Sequence, residues 1–246
     1  MVCSLLLAPV ANLEAQSYSY QTLNITGSTT SLAYGINDAG QIVGVSQYGG
    51  SAYLGFLYSG GLSTAINYPG AAGTIPFAIN NSGTIVGYYQ PPGDVGFLRS
   101  TGGTYTSITA ADNVVTGIND QGDFVGTNLS TDSGFVSKNG SLQSFQIKEF
   151  STTAWGINNS GQISGTAGNG PDDFAFLLTN GSVETIMVPG SQASIGYAVN
   201  NSGEVAGWYY TPAALDTQRG FVFTRSEYQL IDYPGATGTE VFGIND

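Results

Sequence analysis

The heptapeptide Tyr34-Gly-Ile-Asn-Asp-Ala-Gly40 decides the fold of this chain, because close copies of it recur along the whole sequence. Each copy has a small or aromatic residue, then Gly or Ala, Ile or Val, Asn, Asn or Asp, any residue, and Gly. Further copies begin at Phe77, Thr116, Trp155 and Tyr197, and a sixth, Phe242-Gly-Ile-Asn-Asp246, stops after its Asn-Asp pair. A tandem repeat of this kind indicates the architecture before any single residue is considered.

The first Asn of each copy gives the period of the repeat. These residues are Asn37, Asn80, Asn119, Asn158, Asn200 and Asn245, which lie 43, 39, 39, 42 and 45 residues apart. A period of about 40–45 residues is typical of a four-stranded propeller blade, although helical repeats of similar length exist. The composition inside the period must therefore distinguish strands from helices.

The residues between the copies favour strands. In the first unit, Gln41-Ile-Val-Gly44 follows the heptapeptide directly, and Gly55-Phe-Leu-Tyr58 comes further along. The unit closes with Leu62-Ser-Thr-Ala-Ile66, whose alternation of apolar and polar residues is typical of a strand with one wet face. Asn-Gly pairs between apolar runs, as at Asn139-Gly140, are strong hairpin signals. No window shows a helical spacing of apolar residues, so we predict an all-β chain.

The predicted fold is a β-propeller of five or six four-stranded blades, with one blade incomplete or shared by the termini. We expect a last strand of a unit at Tyr18–Ile25, five full units, and a lone first strand at Glu240–Asp246, which makes 22 strands. That number lies between the 20 strands of five blades and the 24 of six. A chain that is a fragment of a longer protein would also fit this count.

Composition restricts the function classes. Charged residues make up 9% of the chain and apolar residues 41%, the reverse of the balance found in disordered chains. Seventeen acidic and five basic residues give a net charge of −12. This charge disfavours nucleic acid and anionic membranes as partners, and we interpret it mainly as a source of solubility.

The N-terminus predicts export. An apolar run at residues 2–10 precedes Leu13-Glu-Ala15, a tolerable cleavage site, so residues 1–15 are expected to be the remnant of a signal peptide and 16–246 a single propeller domain. The run is too short to span a bilayer. The single cysteine, Cys3, excludes an intrachain disulfide and gives no information on the compartment.

The chain resembles the HAF family of bacterial extracellular repeats over residues 18–246. The resemblance is carried by Gly-Ile-Asn-Asp-x-Gly-x-Ile-Val-Gly followed by a Gly-Phe-Leu strand, and Phe174-Ala-Phe-Leu177 comes nearest to the family's His-Ala-Phe-Leu-Trp. No copy in this chain has the His or the Trp. The resemblance implies an exported, propeller-like protein, extracellular or on a bacterial cell surface, and implies no particular activity.

The repeat turns are interpreted as structural, since Asn and Asp bond nearby backbone N–H groups and Gly accepts a positive φ. Calcium is a weaker possibility, because only Asp120 with Asp123 offers two close carboxylates in one turn. No other cofactor or metal is expected. The predicted turn residues are Asn37, Asp38, Gly40, Asn80, Gly83, Asn119, Asp120, Gly122, Asn158, Gly161, Asn200 and Gly203.

Enzyme chemistry finds little support, and we predict a protein that is not an enzyme. The chain has no His, which excludes Ser-His-Asp and Cys-His arrangements. A glycosidase needs only two carboxylates, so this activity remains an alternative. The acids Asp112, Glu149, Asp172 and Asp216 follow no shared pattern across the units, however.

Clustered aromatic residues are the candidate ligand contacts. Two interpretations stay open, packing between blades and stacking on sugar rings. The candidates, placed just after the second strand of their units, are Tyr88, Tyr89, Trp208, Tyr209 and Tyr210. The leading prediction is a secreted or surface-displayed propeller with a binding or scaffold role. Its most concrete form is a carbohydrate-binding module whose partners are extracellular glycans. The first alternative is a filament subunit that shares strands with its own copies at the incomplete blade, and the second is the carboxylate glycosidase.

Overall fold

The computed structural model describes residues 19–49, 53–90, 93–108, 113–212, 214–225 and 227–246. These ranges contain twenty β-strands in five antiparallel four-stranded sheets, each in sequence order, which form a five-bladed β-propeller. The predicted all-β propeller is confirmed, and the blade number is five. Nowhere in these ranges is there a helix suited to crossing a membrane. The predicted leader at residues 1–15 lies outside the described residues.

The blades follow one another along the chain, and the first strand of each lies at the centre. Blade 1 comprises β1 (Thr30–Ile36), β2 (Ile42–Gln47), β3 (Leu54–Ser59) and β4 (Leu62–Ile66). Blade 2 comprises β5 (Gly73–Ile79), β6 (Ile85–Gln90), β7 (Val95–Arg99) and β8 (Tyr105–Ser107). Blade 3 comprises β9 (Asn113–Ile118), β10 (Phe124–Asn128), β11 (Ser133–Lys138) and β12 (Ser141–Phe145). Blade 4 comprises β13 (Ser151–Ile157), β14 (Ile163–Gly168), β15 (Phe174–Thr179) and β16 (Ser182–Ile186), and blade 5 comprises β17 (Ala193–Val199), β18 (Val205–Thr211), β19 (Ala214–Thr224) and β20 (Glu227–Ile231).

The repeated heptapeptide forms the end of each inner strand and the turn into the second strand. In blade 1 the backbone N–H of Gln41 donates to Oδ1 of Asn37 at 3.0 Å, which holds the turn from inside. Gly40 has φ +70°, a left-handed conformation that other residues adopt at a cost. The Asn and the second Gly of the motif are therefore both needed by the local geometry of the turn.

A different Gly, the one that ends the Ile-Val-Gly run of each unit, lets two strands approach closely. In blade 3 the inner strand shifts register against β10 between Val125 and Gly126. A Cβ on Gly126 would lie 2.0 Å from the carbonyl oxygen of Val114 and 2.5 Å from the ring of Phe135. The β-bulge therefore excludes any side chain at this position.

The core lies between the blades and is built from one phenylalanine per blade. Each belongs to the third strand, at the Phe of the Gly-Phe-Leu run or its Ala-Phe-Leu variant, and each is almost completely buried. These residues are Phe56, Phe97, Phe135, Phe176 and Phe221. Burial of one such ring contributes roughly 1.5–3 kcal/mol to folding. The outer strands, by contrast, are exposed to solvent, as in β4, where Leu62 is 73% exposed.

The sixth copy of the heptapeptide lies between blade 5 and blade 1. Phe242 contacts the rings of Tyr197 and Tyr34 at centroid distances of 4.8 and 5.5 Å. At the other end of the described chain, Tyr20 donates its hydroxyl to the carbonyl of Asp232 and packs edge-on against Tyr233. Tyr68 makes the same kind of ring contact with Tyr105 of the next blade.

These two terminal segments occupy the places of an inner and an outer strand, yet neither is a strand. The structure assigns no strand pairing to residues 19–25 or 240–246. Over the residues that the structure describes, 19–25 and 240–246, the predicted strands at Tyr18–Ile25 and Glu240–Asp246 are therefore wrong, and the described chain has 20 strands instead of 22. The heptapeptide alone can place its backbone in the ring, but a strand also needs a second strand to pair with.

Candidate functional site

Six inner segments surround a central channel, and buried asparagines connect them at one end. In this amide belt, each first Asn of the repeat donates its Nδ2 to the backbone carbonyl of the corresponding Asn in the next copy. The five donors are Asn37, Asn80, Asn119, Asn158 and Asn200, the last of which reaches Asn245, at distances of 2.9–3.4 Å. The belt thus joins neighbouring blades through side chains that also hold their own turns.

A second circle of hydrogen bonds lies at the channel mouth next to the amide belt. This mouth ring consists of the residues that follow the belt asparagines, namely Asp38, Asn81, Asp120, Asn159, Asn201 and Asp246. Each backbone N–H donates to the side-chain oxygen of the next member at 2.7–2.9 Å, and the N–H of Asp246 returns to Asp38 at 3.3 Å. The sixth copy therefore completes the circle.

The carboxylates of the mouth ring accept hydrogen bonds from the side-chain amides of their neighbours. Nδ2 of Asn81 lies 2.6 Å from Asp38 and 3.1 Å from Asp120, and Nδ2 of Asn159 lies 2.8 Å from Asp120. Burial raises the pKa of Asp120, but the bonds from Asn159 and from the backbone and side chain of Asn81 outweigh it and lower the pKa overall. The acids of this ring are thus already satisfied by the protein.

The geometry offers no calcium site at the predicted pair. Asp120 faces its neighbours in the mouth ring, whereas Oδ1 of Asp123 accepts the backbone N–H of Asn139 at 3.2 Å. Two adjacent acids, Asp172 and Asp173, lie in the loop before β15, where Asp173 accepts the backbone N–H of Gly170. Across the described ranges, no three His, Cys, Asp or Glu side chains converge in a way that could hold a metal ion.

Aromatic side chains line the channel on the other side of the amide belt. This aromatic collar is formed by the first residue of the heptapeptide in five copies, Tyr34, Phe77, Trp155, Tyr197 and Phe242, with Thr116 in the remaining place. Neighbouring rings lie 4.7–6.2 Å apart between centroids. Close approach of the inner segments is possible because the following residue is small: a Cβ on Gly35 would lie 2.6 Å from the carbonyl of Phe77.

The collar surrounds a cavity of about 90 Å³, enough for several water molecules. The indole nitrogen of Trp155 is buried and has no hydrogen-bond partner in the protein. Burial raises the pKa of Tyr34 to about 12, with further contributions from Tyr88, Tyr197, Tyr53 and Glu240. The cavity is therefore lined by the collar rings and by the small residues that follow them.

The collar continues outward to some of the predicted aromatic contacts. Tyr88 lies 5.8 Å from Phe77 between ring centroids, and the indole of Trp208 lies close enough to Tyr197 to lower its pKa against the larger effect of burial, which raises it. Tyr210 packs 6.2 Å from Trp208 and donates its hydroxyl to the carbonyl of Pro171. All three are on the same face of their blades.

The other two candidates point away from the collar. Tyr89 stacks on Tyr68 at 3.7 Å, between blades 1 and 2, and Tyr209 is buried in the core between blades 4 and 5. The prediction that these aromatics follow the second strand is wrong, because they lie within β6 and β18. Alternation along a strand therefore places Tyr88 and Tyr89 on opposite faces.

The collar itself was not among the predicted contacts, although its signal is in the sequence. The first position of the heptapeptide is aromatic in every copy except the one that begins at Thr116. An aromatic residue held at one position of a tandem repeat indicates rings gathered at one level of the propeller. Glu240 was also missed.

Comparison with solved structures shows the fold alone. A streptogramin B lyase superposes with a TM-score of 0.53 at 16% identity, over 87% of this chain and 72% of that one. A TolB-like protein from Agrobacterium tumefaciens gives 0.61 at 13% identity, over 81% and 80%. A virginiamycin B lyase from Staphylococcus aureus gives 0.55 at 14% identity, over 88% and 75%. No protein-family model and no curated protein matches the chain.

Proposed function

We propose that the protein is a binding module whose ligand meets the aromatic side of the channel, and that this ligand is a carbohydrate. The observation that carries the proposal is the continuity of the aromatic collar with Tyr88, whose ring lies 5.8 Å from Phe77, and Trp208 holds the equivalent place in blade 5. Aromatic faces bind apolar surfaces such as the C–H face of a sugar ring. The cavity of about 90 Å³ is much smaller than a typical ligand pocket. The sugar therefore lies across the mouth, and only a small substituent enters the cavity.

The amide-belt side of the channel supports a structural role instead. Its amides and carboxylates are bonded to one another around the whole circle, as in Asn81 with Asp38 and Asp120. Polar groups that are already paired gain little from a ligand. The two mouths of the channel therefore have different tasks, one joining the blades and the other binding.

The absence of histidine supports a role without catalysis. One structural neighbour, the virginiamycin B lyase, is described as catalytically inactive when a histidine is replaced by alanine, and the present chain has no histidine at all. Of the acids considered for a glycosidase, Glu149 and Asp172 lie in exposed turns of different blades. Asp112, and the side chain of Asp216, lie outside the described residues.

The resemblance to extracellular repeats supports a secreted or surface-displayed location for such a module. A glycan array probed with purified protein tests the proposal directly. The only two tryptophans, Trp155 and Trp208, both lie at the collar, so intrinsic fluorescence reports binding without a label. We expect Trp208→Ala to weaken binding at least tenfold, since a stacked ring contributes roughly 1–3 kcal/mol.

A matched control is Tyr233→Ala, which removes an exposed ring that contacts Tyr20 far from the collar. It should leave binding unchanged. Failure of every glycan to bind, or equal losses in both variants, would contradict the proposal. Hydrolysis of a bound glycan would instead support the glycosidase alternative.

One observation favours a filament subunit as the second candidate. Residues 242–246 line the channel, but within the described chain they pair with no second strand. Unpaired segments of this kind accept strands from other molecules. Electron microscopy at increasing protein concentration should show head-to-tail filaments if this candidate is right, and isolated discs if it is wrong.

A further inference from the structure

We propose that the space between blades 5 and 1 binds a β-hairpin from another polypeptide, which adds the two middle strands of a sixth blade and places a basic residue opposite Glu240. We call this space the blade gap. It lies between the inner segment 240–246 and the outer segment 19–25, which take the places of a first and a fourth strand. The inference does not depend on carbohydrate binding at the aromatic collar.

Blades 5 and 1 lack the packing that joins the other neighbours. Each of the four hydrophobic clusters in the described residues spans two consecutive blades, and none spans blades 5 and 1. On blade 1, Ile36 and Ile42 are partly exposed, although their equivalents in the other blades are all buried. These equivalents are Ile79, Ile118, Ile157 and Val199 for the first, and Ile85, Phe124, Ile163 and Val205 for the second. In blade 2 they are covered by Val43 and Leu57, from the second and third strands of blade 1.

Tyr233 shows the same missing cover from the side of blade 5. Its equivalent is Tyr68 of blade 1, since the backbone N–H of each donates to the hydroxyl of a Thr six residues later, at 2.9 and 2.8 Å. The rings of Tyr89 and Phe97, from the second and third strands of blade 2, lie 3.7 and 6.3 Å from that of Tyr68. Among the described residues, Tyr233 has a ring contact only with Tyr20 and is 48% exposed. A cavity of about 250 Å³ lies against it.

The inner segment also presents an unpaired backbone edge to the blade gap. In the five complete blades, the N–H of the belt asparagine donates to the carbonyl four residues later, at 2.9–3.1 Å, as the chain enters the second strand. Asn245 makes no such bond within the described chain, and it is exposed, whereas the five belt asparagines are only 3–7% exposed. An edge of this kind takes up a strand from another chain.

The complete blades define the shape of the strand that fits this edge. A Cβ on Gly87 would lie 2.0 Å from the carbonyl oxygen of Ile75, and the matching glycines of the other blades come within 1.8–2.3 Å in the same way. Glu240 takes the place of Ile75, since each lies two residues before the first residue of a heptapeptide. The incoming strand therefore needs a glycine beside the carbonyl of Glu240.

Glu240 also defines the charge of the partner. Its equivalents in the five complete blades are all uncharged, namely Leu32, Ile75, Val114, Thr153 and Ile195. Glu240 is exposed, and no ion pair within the described ranges includes it. Opposite charges on directly paired residues stabilise a pair of strands. We therefore expect Lys or Arg opposite Glu240, on a partner that the net charge of −12 also attracts.

A different polypeptide fits the blade gap better than a second copy of this chain. In the described ranges every second and third strand already lies within a blade, so a copy would have to open one of its blades to donate a hairpin. Its strands also carry no base at the required position. The residues there are Val45, Tyr88, Thr127, Thr166 and Trp208.

A synthetic hairpin tests the inference. The labelled peptide has the sequence of residues 41–59 with Val45→Lys, and fluorescence anisotropy measures its binding to the full chain. We expect it to bind about two- to fivefold more tightly than the same peptide with Val45→Gln. Adding Gly44→Ala to the lysine peptide should weaken binding about tenfold or more, because in blade 1 a Cβ on Gly44 would lie 2.0 Å from the carbonyl of Leu32.

Two variants of the protein locate the charge. Glu240→Gln should remove the preference for the lysine peptide. Glu184→Gln, at an exposed acid on β16 of blade 4, changes the net charge by the same amount and should keep that preference. Equal effects of the two variants, or binding that does not respond to Gly44→Ala in the peptide, would overturn the inference, as would a failure of the lysine peptide to bind.

Hydrogen exchange of the full chain locates the docked strand. We expect the amides of residues 240–245 to exchange rapidly in the free protein and to become protected when the lysine peptide is added. Protection in the free protein at every concentration would show that the chain covers this edge itself. Protection that grows with protein concentration would assign the edge to a second copy. Either result would overturn the assignment to a different polypeptide.

Discussion

The backbone N–H of Asp246 donates to the carboxylate of Asp38 at 3.3 Å, across 208 residues of sequence. This contact completes the mouth ring, since the other five members are joined by the same kind of bond between successive copies. The propeller thus has five blades but six positions in its innermost circle.

Asp38→Ala should destabilise the fold by about 0.5–1.5 kcal/mol, because Asn81 Nδ2 would lose one of its two acceptors and the Asp246 N–H would lose its acceptor in the ring. The lowered urea midpoint is the measurement. Asp172→Ala removes an exposed loop acid of blade 4 and serves as the control. An Asp38 variant as stable as this control would show that closure of the ring contributes nothing.

Asn119→Ala should cost about 2–4 kcal/mol, since it removes both the donor to the Asn158 carbonyl and the acceptor of the Asp123 N–H. Asn119→Asp keeps the turn acceptor but turns a buried carboxylate oxygen towards the Asn158 carbonyl, so its loss is an upper limit on the bond between blades 3 and 4. Urea unfolding of both variants checks the prediction. If Asn119→Ala loses stability and Asn119→Asp does not, the stabilisation comes from the bond within the turn and not from the bond between the blades.

Asp120 should make stability depend on pH. Its pKa in the folded protein lies below the ordinary value of about 3.9, so its contribution is present above that value and is lost as the pH falls through the folded pKa. Asp120→Asn turns a new amide towards the donors of Asn81 and Asn159 and should cost about 1 kcal/mol at neutral pH. This difference from wild type should shrink as the pH falls through the folded pKa of Asp120. A difference that stays constant with pH would contradict the assignment.

Gly126→Ala should destabilise the protein by about 3 kcal/mol or more, because the added Cβ would meet the Val114 carbonyl at 2.0 Å. Gly102→Ala is the control, since its Cβ would have only the Ser100 hydroxyl, at 3.8 Å, within 4 Å. Thermal unfolding followed by near-ultraviolet circular dichroism distinguishes the two. A mild effect at Gly126 would mean that the bulge can relax.

The strands were predictable because each depends on local signals. The turn of the heptapeptide, Asn-Asp/Asn-x-Gly, and the Gly-Phe-Leu run each act within one unit. The structure places both as expected. The role of Asn37 as a bond to blade 2 was not predictable, since its partner, the Asn80 carbonyl, lies one full period away. The period of a sequence repeat identifies the copies, but it does not show which atoms of one copy contact the next.

The aromatic candidates show a different limit. Assigning Tyr88 and Tyr89 to a strand instead of to the loop after it would have placed them on opposite faces at once. The choice between five and six blades was beyond the sequence for a physical reason. Residues 240–246 carry the motif of an inner strand, but pairing depends on a partner strand that the motif does not contain.

Every bond of the mouth ring runs in the same rotational sense, from the backbone of one copy to the side chain of the next. Each unit therefore carries both halves of the connector, and none is specialised as a beginning or an end. Duplicating or losing a unit would leave this linkage chemically intact. The number of units that close the circle then depends on the angle between neighbouring sheets. A change in the number of units would change the diameter of the channel while each unit kept the same hydrogen bond to the next.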